Sequence, residues 1–178
     1  MDKSSISIRH FSDGDADTVR ANQYPDMEKD AIRSMIREWN AGSFDGRYFE
    51  MFAVLRDGEI VGSVSLAEHT KSVASIGAEI YPAFRRRGFA YEANLLLFDR
   101  AKQLGYKVIQ NQVRTDNAAS IRLNEKSGFE SDWYVYKNRK DHPVYLFLYY
   151  SPIKRFKRSV RQICVRRGGG SSRAAARQ

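Results

Sequence analysis

The chain has 178 residues, 42% apolar and 29% charged, with a net charge of +9. This composition supplies enough apolar surface for one buried core. It excludes a collagen-like repeat, low-complexity disorder and a disulfide scaffold, since Cys164 is the only cysteine. Of the 30 basic residues, nine lie in 151–178 beside no acid, leaving 1–150 balanced at 21 basic and 21 acidic residues. The basicity therefore belongs to the end of the chain and gives no reason to read the folded body as a nucleic-acid binder.

In chain order, residues 5–11 alternate Ile6 and Ile8 and close on Phe11, a strand pattern. Asp13-Gly14-Asp15 is a turn that starts a helix over 15–23. Pro25-Asp26 opens a second helix, in which Met27, Ala31, Ile32, Met35, Ile36 and Trp39 recur at helical spacing until Gly42. Residues 43–48 read as loop. Strands follow over 49–56 and 59–67, joined by Asp57-Gly58, a strong hairpin signal. A third strand covers 73–81, a long helix 88–104, a strand 107–114 and a helix 117–127, each helix stopped by the glycine after it. Two last strands, 129–136 and 144–150, carry alternating aromatics expected on the core or a sheet face. The order β-α-α-β-β-β-α-β-α-β-β predicts a mixed α+β domain over 1–150, with a mostly antiparallel sheet and helices on both faces.

No run reaches the roughly 18 apolar residues of a spanning helix. Met1–Ser5 leads into a strand pattern and not an apolar signal core. With one cysteine, the expectation is a cytoplasmic protein. His10, His69 and His142 show no metal-ligand spacing with each other or with Cys164, so no metal is assigned.

The chemistry concentrates in 77–90, Gly-Ala-Glu-Ile-Tyr-Pro-Ala-Phe-Arg-Arg-Arg-Gly-Phe-Ala. A strand runs into Pro82, a basic turn of Arg85, Arg86 and Arg87 follows, and a helix starts after Gly88. Such a junction aims backbone N–H groups and a helix N-terminus at one point, an arrangement that binds phosphate. Gly88 allows close approach to the backbone, and three arginines suit an anion with several phosphates. The spacing is neither a Walker loop nor the dinucleotide fingerprint. A basic helix start with a solvated face is the plainer alternative. About 30 residues on, helical spacing puts Asn117, Ser120 and Asn124 on one face, a polar lining for a ligand arm or an exposed capped helix start.

Together, Arg85-x-x-Gly88-x-Ala90 and Asn117-x-x-Ser120, with Glu125-Lys126-x-Gly128-Phe129, resemble the GNAT superfamily of acyl-CoA-dependent N-acyltransferases, most closely its RimJ/RimL-like branch, which acetylates ribosomal-protein N-termini. The resemblance covers roughly 5–150. It implies a three-layer fold around a six- to seven-stranded sheet, acetyl-CoA as co-substrate and a primary amine as acceptor. It implies that amides of Arg85, Arg86, Arg87, Gly88, Phe89 and Ala90 hold the CoA pyrophosphate. The strand Glu79–Tyr81 would pair with the pantetheine arm, in the family often bulged and splayed from its neighbour, with Ile80 offering an amide to the thioester carbonyl. Asn117 would touch pantetheine, Glu79 would be the general base, and Ser120 matches a proposed general acid. Asn124, on the same face, departs from the family: a tyrosine often stands there to protonate the leaving thiolate, which asparagine cannot do.

Trp39, Phe44, Tyr48 and Trp133 are further candidates for an acceptor pocket. In 151–178, Ile153, Phe156, Val160 and Ile163 recur at 3, 4 and 3 residues among basic side chains, a short basic amphipathic helix. It would pack on the domain or meet an anionic surface, RNA or membrane, and a flexible end follows from Gly168. Two function classes stand: an acetyl-CoA-dependent N-acetyltransferase, and a non-catalytic CoA-binding or ribosome- or nucleic-acid-associated module of the same fold.

Overall fold

A computed structural model describes residues 6–151. The basic segment with its amphipathic pattern, and Cys164, lie outside the described residues.

Strand β1 (Ile6–His10) leads through a 3-10 turn, Asp13–Asp15, into helix α1 (Ala16–Gln23). Helix α2 (Lys29–Asn40) starts four residues later than Pro25 predicts, because 25–28 form a turn and the helix begins after an extended Glu28. Its helical stripe buries Ile32, Ile36 and Trp39, as the spacing requires. The expected loop at 43–48 contains a short hairpin: β2 (Ser43–Phe44) pairs with the start of β3 (Arg47–Arg56). Asp45 and Gly46 turn between them with φ of 52° and 71°. The same positive-φ turn recurs at Asp57 and Gly58, with φ of 51° and 84°, and feeds β4 (Glu59–Thr70). Then come β5 (Val73–Ile80), α3 (Phe89–Gln103), β6 (Val108–Arg114), α4 (Ala118–Lys126), β7 (Glu130–Lys137) and β8 (Pro143–Tyr150).

The sheet runs in the order β1-β3-β4-β5-β6-β8-β7, with β2 attached to β3. Every pairing is antiparallel except β5 with β6, which α3 connects. Two buried clusters lie on its two faces. Ile76, Ile80, Leu97, Phe98, Ile109 and Phe147 belong to the larger, beneath α3; Val19, Ile32, Ile36, Ala53 and Tyr81 belong to the other, beneath α1 and α2. This is the three-layer α+β arrangement expected, with the two-residue β2 added. Of the β7 aromatics, Trp133 lies edge-on to Tyr145 and Phe147 of β8. An irregularity between Ser131 and Val135, with Trp133 at φ 59°, leaves Trp133, Tyr134 and Tyr136 exposed on the edge strand.

Glu50 is the charged side chain buried in this body. Arg100 grips it through two bonds, Nε to Oε2 at 2.9 Å and Nη2 to Oε1 at 2.7 Å, and also donates to the Tyr48 hydroxyl. His10 Nε2 lies 3.3 Å from Glu50 Oε1. Burial pushes the Glu50 carboxyl up, but the bonds from Arg100 and Tyr48 outweigh it and leave the group below its ordinary range. A carboxyl lowered in this way contributes stability above its unfolded pKa that disappears as pH falls through the folded one. Arg100→Met is therefore expected to destabilise the fold at neutral pH by about 2 kcal/mol. That is less than a fully buried pair would cost, because the guanidinium is a third exposed. The loss should shrink towards acid. Urea melts at pH 7 and pH 4 check it, and a pH-independent difference would contradict the ion-pair account.

Candidate functional site

The site begins where two strands part. β5 pairs with β6 only through Val73, Ala74 and Ser75. Beyond them β5 stays with β4 as far as Ile80, while β6 stays with β8 as far as Arg114. A wedge opens between β5 and β6, and one edge of β5 is left without a strand partner. Pairing of β5 with β4 is regular from Ala74 to Ile80, so the expected splay is present without a bulge in that stretch; the nearest irregularity falls between β3 and β4 at Val54/Leu55. The Tyr81 N–H donates to the Val61 carbonyl at 2.9 Å, towards β4. Backbone groups alternate between the edges of an extended strand. Ile80 therefore faces the open edge, where its carbonyl accepts Arg85 Nε at 2.8 Å.

The turn after β5 is held in an unusual backbone form. A 3-10 turn, Pro82–Phe84, ends at Arg85; Arg86 then takes φ 63° and Gly88 φ 89° before α3 begins. A left-handed arginine is sterically unfavourable, and such strain is concentrated at functional turns. The alternation leaves the N–H groups of residues 86–90 without an acceptor among the described residues. These five successive donors lie at the N-terminus of a fifteen-residue helix, whose dipole adds positive potential there. This donor set fits a pyrophosphate.

The turn opens into a groove of about 530 Å³ between α3 and α4. It brings together Glu79, Ile80, Arg85, Arg86, Gly88, Phe89, Ala90, Asn117 and Ser120 from the sequence reading. Five further contributors lie outside that reading: Phe84, Tyr91, Ala119, Leu123 and Lys126. Lys126 stands 4.5 Å from the Tyr91 ring centroid and adds a cation to the lining. Its helical position, six residues after Ser120, was readable, but its approach to α3 is a tertiary fact.

The three arginines divide their work. Arg85 locks the turn to Ile80, and Arg86 faces the groove. Arg87 lies over the Phe84 ring at 5.8 Å and lines a different hollow with Arg56, Asp57 and Glu59, so its side chain does not join the other two. Tyr81 also stays out of the groove. Its ring is buried under α1 and α2, its hydroxyl has no partner among the described residues, and burial pushes its pKa up to about 12.

On α4, Asn117 is the N-cap, its Oδ1 accepting the Ser120 N–H at 3.1 Å. Asn117 and Ser120 line the groove, but Asn124 turns inward. It is 1% exposed, donates to the Ser120 carbonyl at 2.8 Å and accepts from Asn111 Nδ2 at 3.1 Å. Asn124 thus fastens α4 to β6 rather than lining a ligand arm. The plain helical-face argument placed it one side-chain direction too far out.

Glu79 stands exposed on the sheet face opposite Ile80. Gln23, at the end of α1, donates from Nε2 both to Glu79 Oε2 at 3.0 Å and to Ser63 Oγ at 2.9 Å. Gln23 was not anticipated, since nothing local links it to a residue 56 positions away. Of the other aromatic candidates, Trp39 is core, Tyr48 belongs to the Glu50–Arg100 network, and Phe44 and Trp133 are exposed. Among the described residues no group of three His, Cys, Asp or Glu could hold a metal, and no helix is long and apolar enough to cross a membrane.

Residues 6–130 match the acetyltransferase (GNAT) domain family. A curated relative, the SPbeta prophage-derived uncharacterized N-acetyltransferase YokL of Bacillus subtilis (strain 168), is 30% identical over 97 residues, 53% of this chain; the chain spans 55% of that relative's length. Among solved structures, RimL, a ribosomal L7/L12 alpha-N-protein acetyltransferase in complex with coenzyme A, superposes with a TM-score of 0.71 at 14% identity, covering 83% of this chain and 95% of that one. A spermidine N-acetyltransferase SpeG chimera from Vibrio cholerae and hSSAT superposes at 0.68 and 19% identity, covering 83% and 96%.

Proposed function

The chain belongs to the GNAT acetyltransferase domain family, and from that premise we propose that it moves an acetyl group from acetyl-CoA directly to a primary amine within a ternary complex. Residues 1–150 form the catalytic domain in this reading, with 151–178 as a basic appendage. The observation that carries it is the donor-rich turn at 86–90 opening onto the unpaired edge of β5. The diphosphate of a long, multiply charged cofactor is held there while its acyl end lies in the wedge.

The chemistry follows from the groups present. A free amine has a pKa near 10, so it must lose a proton before it attacks. Glu79 takes that proton; Gln23 holds one of its carboxylate oxygens and leaves the other available. The amine lone pair adds to the thioester carbon, and the negative charge on the carbonyl oxygen is met by the Ile80 N–H at the open strand edge. As the C–S bond breaks, Ser120 supplies a proton to the departing thiolate. Asn124 takes no part, because its amide is committed to Ser120 and Asn111. No covalent enzyme intermediate is needed, and much of the acceleration comes from holding both substrates together.

The test is acetyl-CoA consumption by the full-length protein against a panel of peptides, polyamines and amino sugars, with the products weighed by mass spectrometry. The expected result is one acetyl group on an acceptor amine and intersecting initial-rate plots. CoA bound with no amine acetylated would favour the non-catalytic module.

A further inference from the structure

Asn124 stands where a tyrosine is common in the family, and its own amide cannot protonate a thiolate. It is buried one helical turn after Ser120, the residue that supplies the proton in the reading above. Asn111 of β6 donates from Nδ2 to Asn124 Oδ1 at 3.1 Å. On the other side, Asn124 Nδ2 donates to the Ser120 carbonyl at 2.8 Å. A carbonyl only accepts, so this bond fixes which end of the Asn124 amide faces Ser120. The same nitrogen carries a second hydrogen, and Ser120 Oγ lies 3.5 Å from it.

A hydroxyl has one hydrogen to give. With the Asn124 amide aimed at the oxygen, that hydrogen is directed away from Asn124, and Ser120 lines the groove. Such help is needed. A serine hydroxyl is a weaker acid than a thiol, whose ordinary pKa is about 8.5. Ser120 therefore gives up its proton readily only where a donor meets the charge that gathers on Oγ.

We propose that Asn124, anchored by Asn111, is a positioning residue for Ser120: its Nδ2–H meets Oγ, turns the hydroxyl hydrogen into the groove and supports the charge left behind. As the C–S bond breaks, its electron pair leaves on sulfur and the Ser120 proton joins it. The proton shed by the new amide nitrogen then restores the hydroxyl through water. The 3.5 Å contact shortens as Oγ gains charge, since charge-assisted bonds are short. The inference rests on the acetyltransfer reading and extends it from Ser120 to the two amides behind it.

The experiment uses full-length protein, acetyl-CoA and the fastest acceptor of the panel above, with kcat measured for Ser120→Ala, Asn124→Leu and the two together. Ser120→Ala is expected to lower kcat about a hundredfold. Asn124→Leu should lower it about tenfold, with KM for acetyl-CoA within about twofold of wild type. The double variant should match Ser120→Ala within about twofold, because Asn124 acts only through that hydroxyl. Asn111→Ala, which frees the far end of the Asn124 amide, should lower kcat about threefold and serves if Asn124→Leu fails to fold. Asn124→Asp keeps the bond from Asn111, but faces Ser120 with an acceptor when ionised and a donor when protonated. Its rate relative to wild type should therefore rise as pH falls, whereas a packing defect would leave that ratio flat. The thiol of bound coenzyme A gives a readout without turnover, through its thiolate absorbance against pH. Ser120→Ala and Asn124→Leu should each raise its pKa, and together no further than Ser120→Ala alone. Losses that multiply in the double variant, or an Asn124→Leu protein with lowered Tm and wild-type kcat, overturn the inference and leave Ser120 as the acid. Ser120→Ala with wild-type kcat overturns the inference together with the assignment of Ser120. Failure of the wild-type protein to acetylate any amine despite bound acetyl-CoA overturns the acetyltransfer reading as well.

Discussion

Glu79→Gln is expected to lower kcat by about a hundredfold or more, the usual size of a general-base contribution, while acetyl-CoA binds as before. The substitution keeps size and the bond to Gln23, since a glutamine oxygen still accepts from Nε2, so the β5 geometry should persist. What it removes is the ability to take a proton. The loss should therefore be largest where the acceptor amine is mostly protonated and should diminish as pH rises towards the amine's own pKa, where the free base is already present. Gln23→Leu should reproduce part of the loss, because the carboxylate then loses the bond that orients it. Initial rates between pH 6 and 10 for both variants decide the matter. A Glu79→Gln enzyme with wild-type rates across that range would remove Glu79 from the mechanism.

The second large effect lies one strand away. Gly62 of β4 faces Ile80 in the β4–β5 register. A Cβ there would overlap the Glu79 carbonyl oxygen outright and lie 2.9 Å from Ile80 Cα and 3.0 Å from Ile80 Cδ1. The first two are backbone atoms of the strand that carries the site, so they cannot give way as a side-chain tip would. Gly62→Ala should cost about 3 kcal/mol, at the upper end of overpacking, and lower Tm by roughly 6–12 °C. It should also displace Ile80 and weaken acetyl-CoA binding in whatever protein remains folded. Thermal melts and a binding titration at 15 °C separate the two effects. An alanine variant with unchanged Tm would mean that β4 and β5 lie further apart than described.

Local rules reached most of the elements because each left a mark in the chain. The stripe of Ile32, Ile36 and Trp39 is a buried helix face, and Asp57-Gly58 is a hairpin turn, for reasons internal to those segments. β2 escaped because two residues are too few to show alternation, although Asp45-Gly46 carries the same turn chemistry as Asp57-Gly58. The helix start at Lys29 escaped because Pro25 is compatible with a turn as well as with a first helical residue.

At the site, the donor-rich turn was legible from Pro82, the arginines and Gly88. The separate destinations of the arginine side chains were not. Arg85 turns back to Ile80 and Arg87 lies on Phe84 because of a left-handed residue between them, and nothing in a run of three arginines encodes that conformation. Asn124 misled for a related reason: helical spacing says which residues share a face, but not which of them meets a buried partner such as Asn111. The Gln23–Glu79 contact is a product of topology alone, joining elements far apart in the chain.

The central claim is that the amides of residues 86–90 hold the diphosphate of coenzyme A. Calorimetric titration of the purified chain with coenzyme A, with adenosine 3′,5′-bisphosphate, which keeps the nucleoside phosphates without the diphosphate, and with pantetheine, which lacks both, tests it most directly. The account predicts one coenzyme A per chain and at least a hundredfold weaker binding of either fragment, about 3 kcal/mol for the charge-assisted bonds that are lost. No heat with coenzyme A, or affinity for either fragment equal to that for coenzyme A, would contradict it.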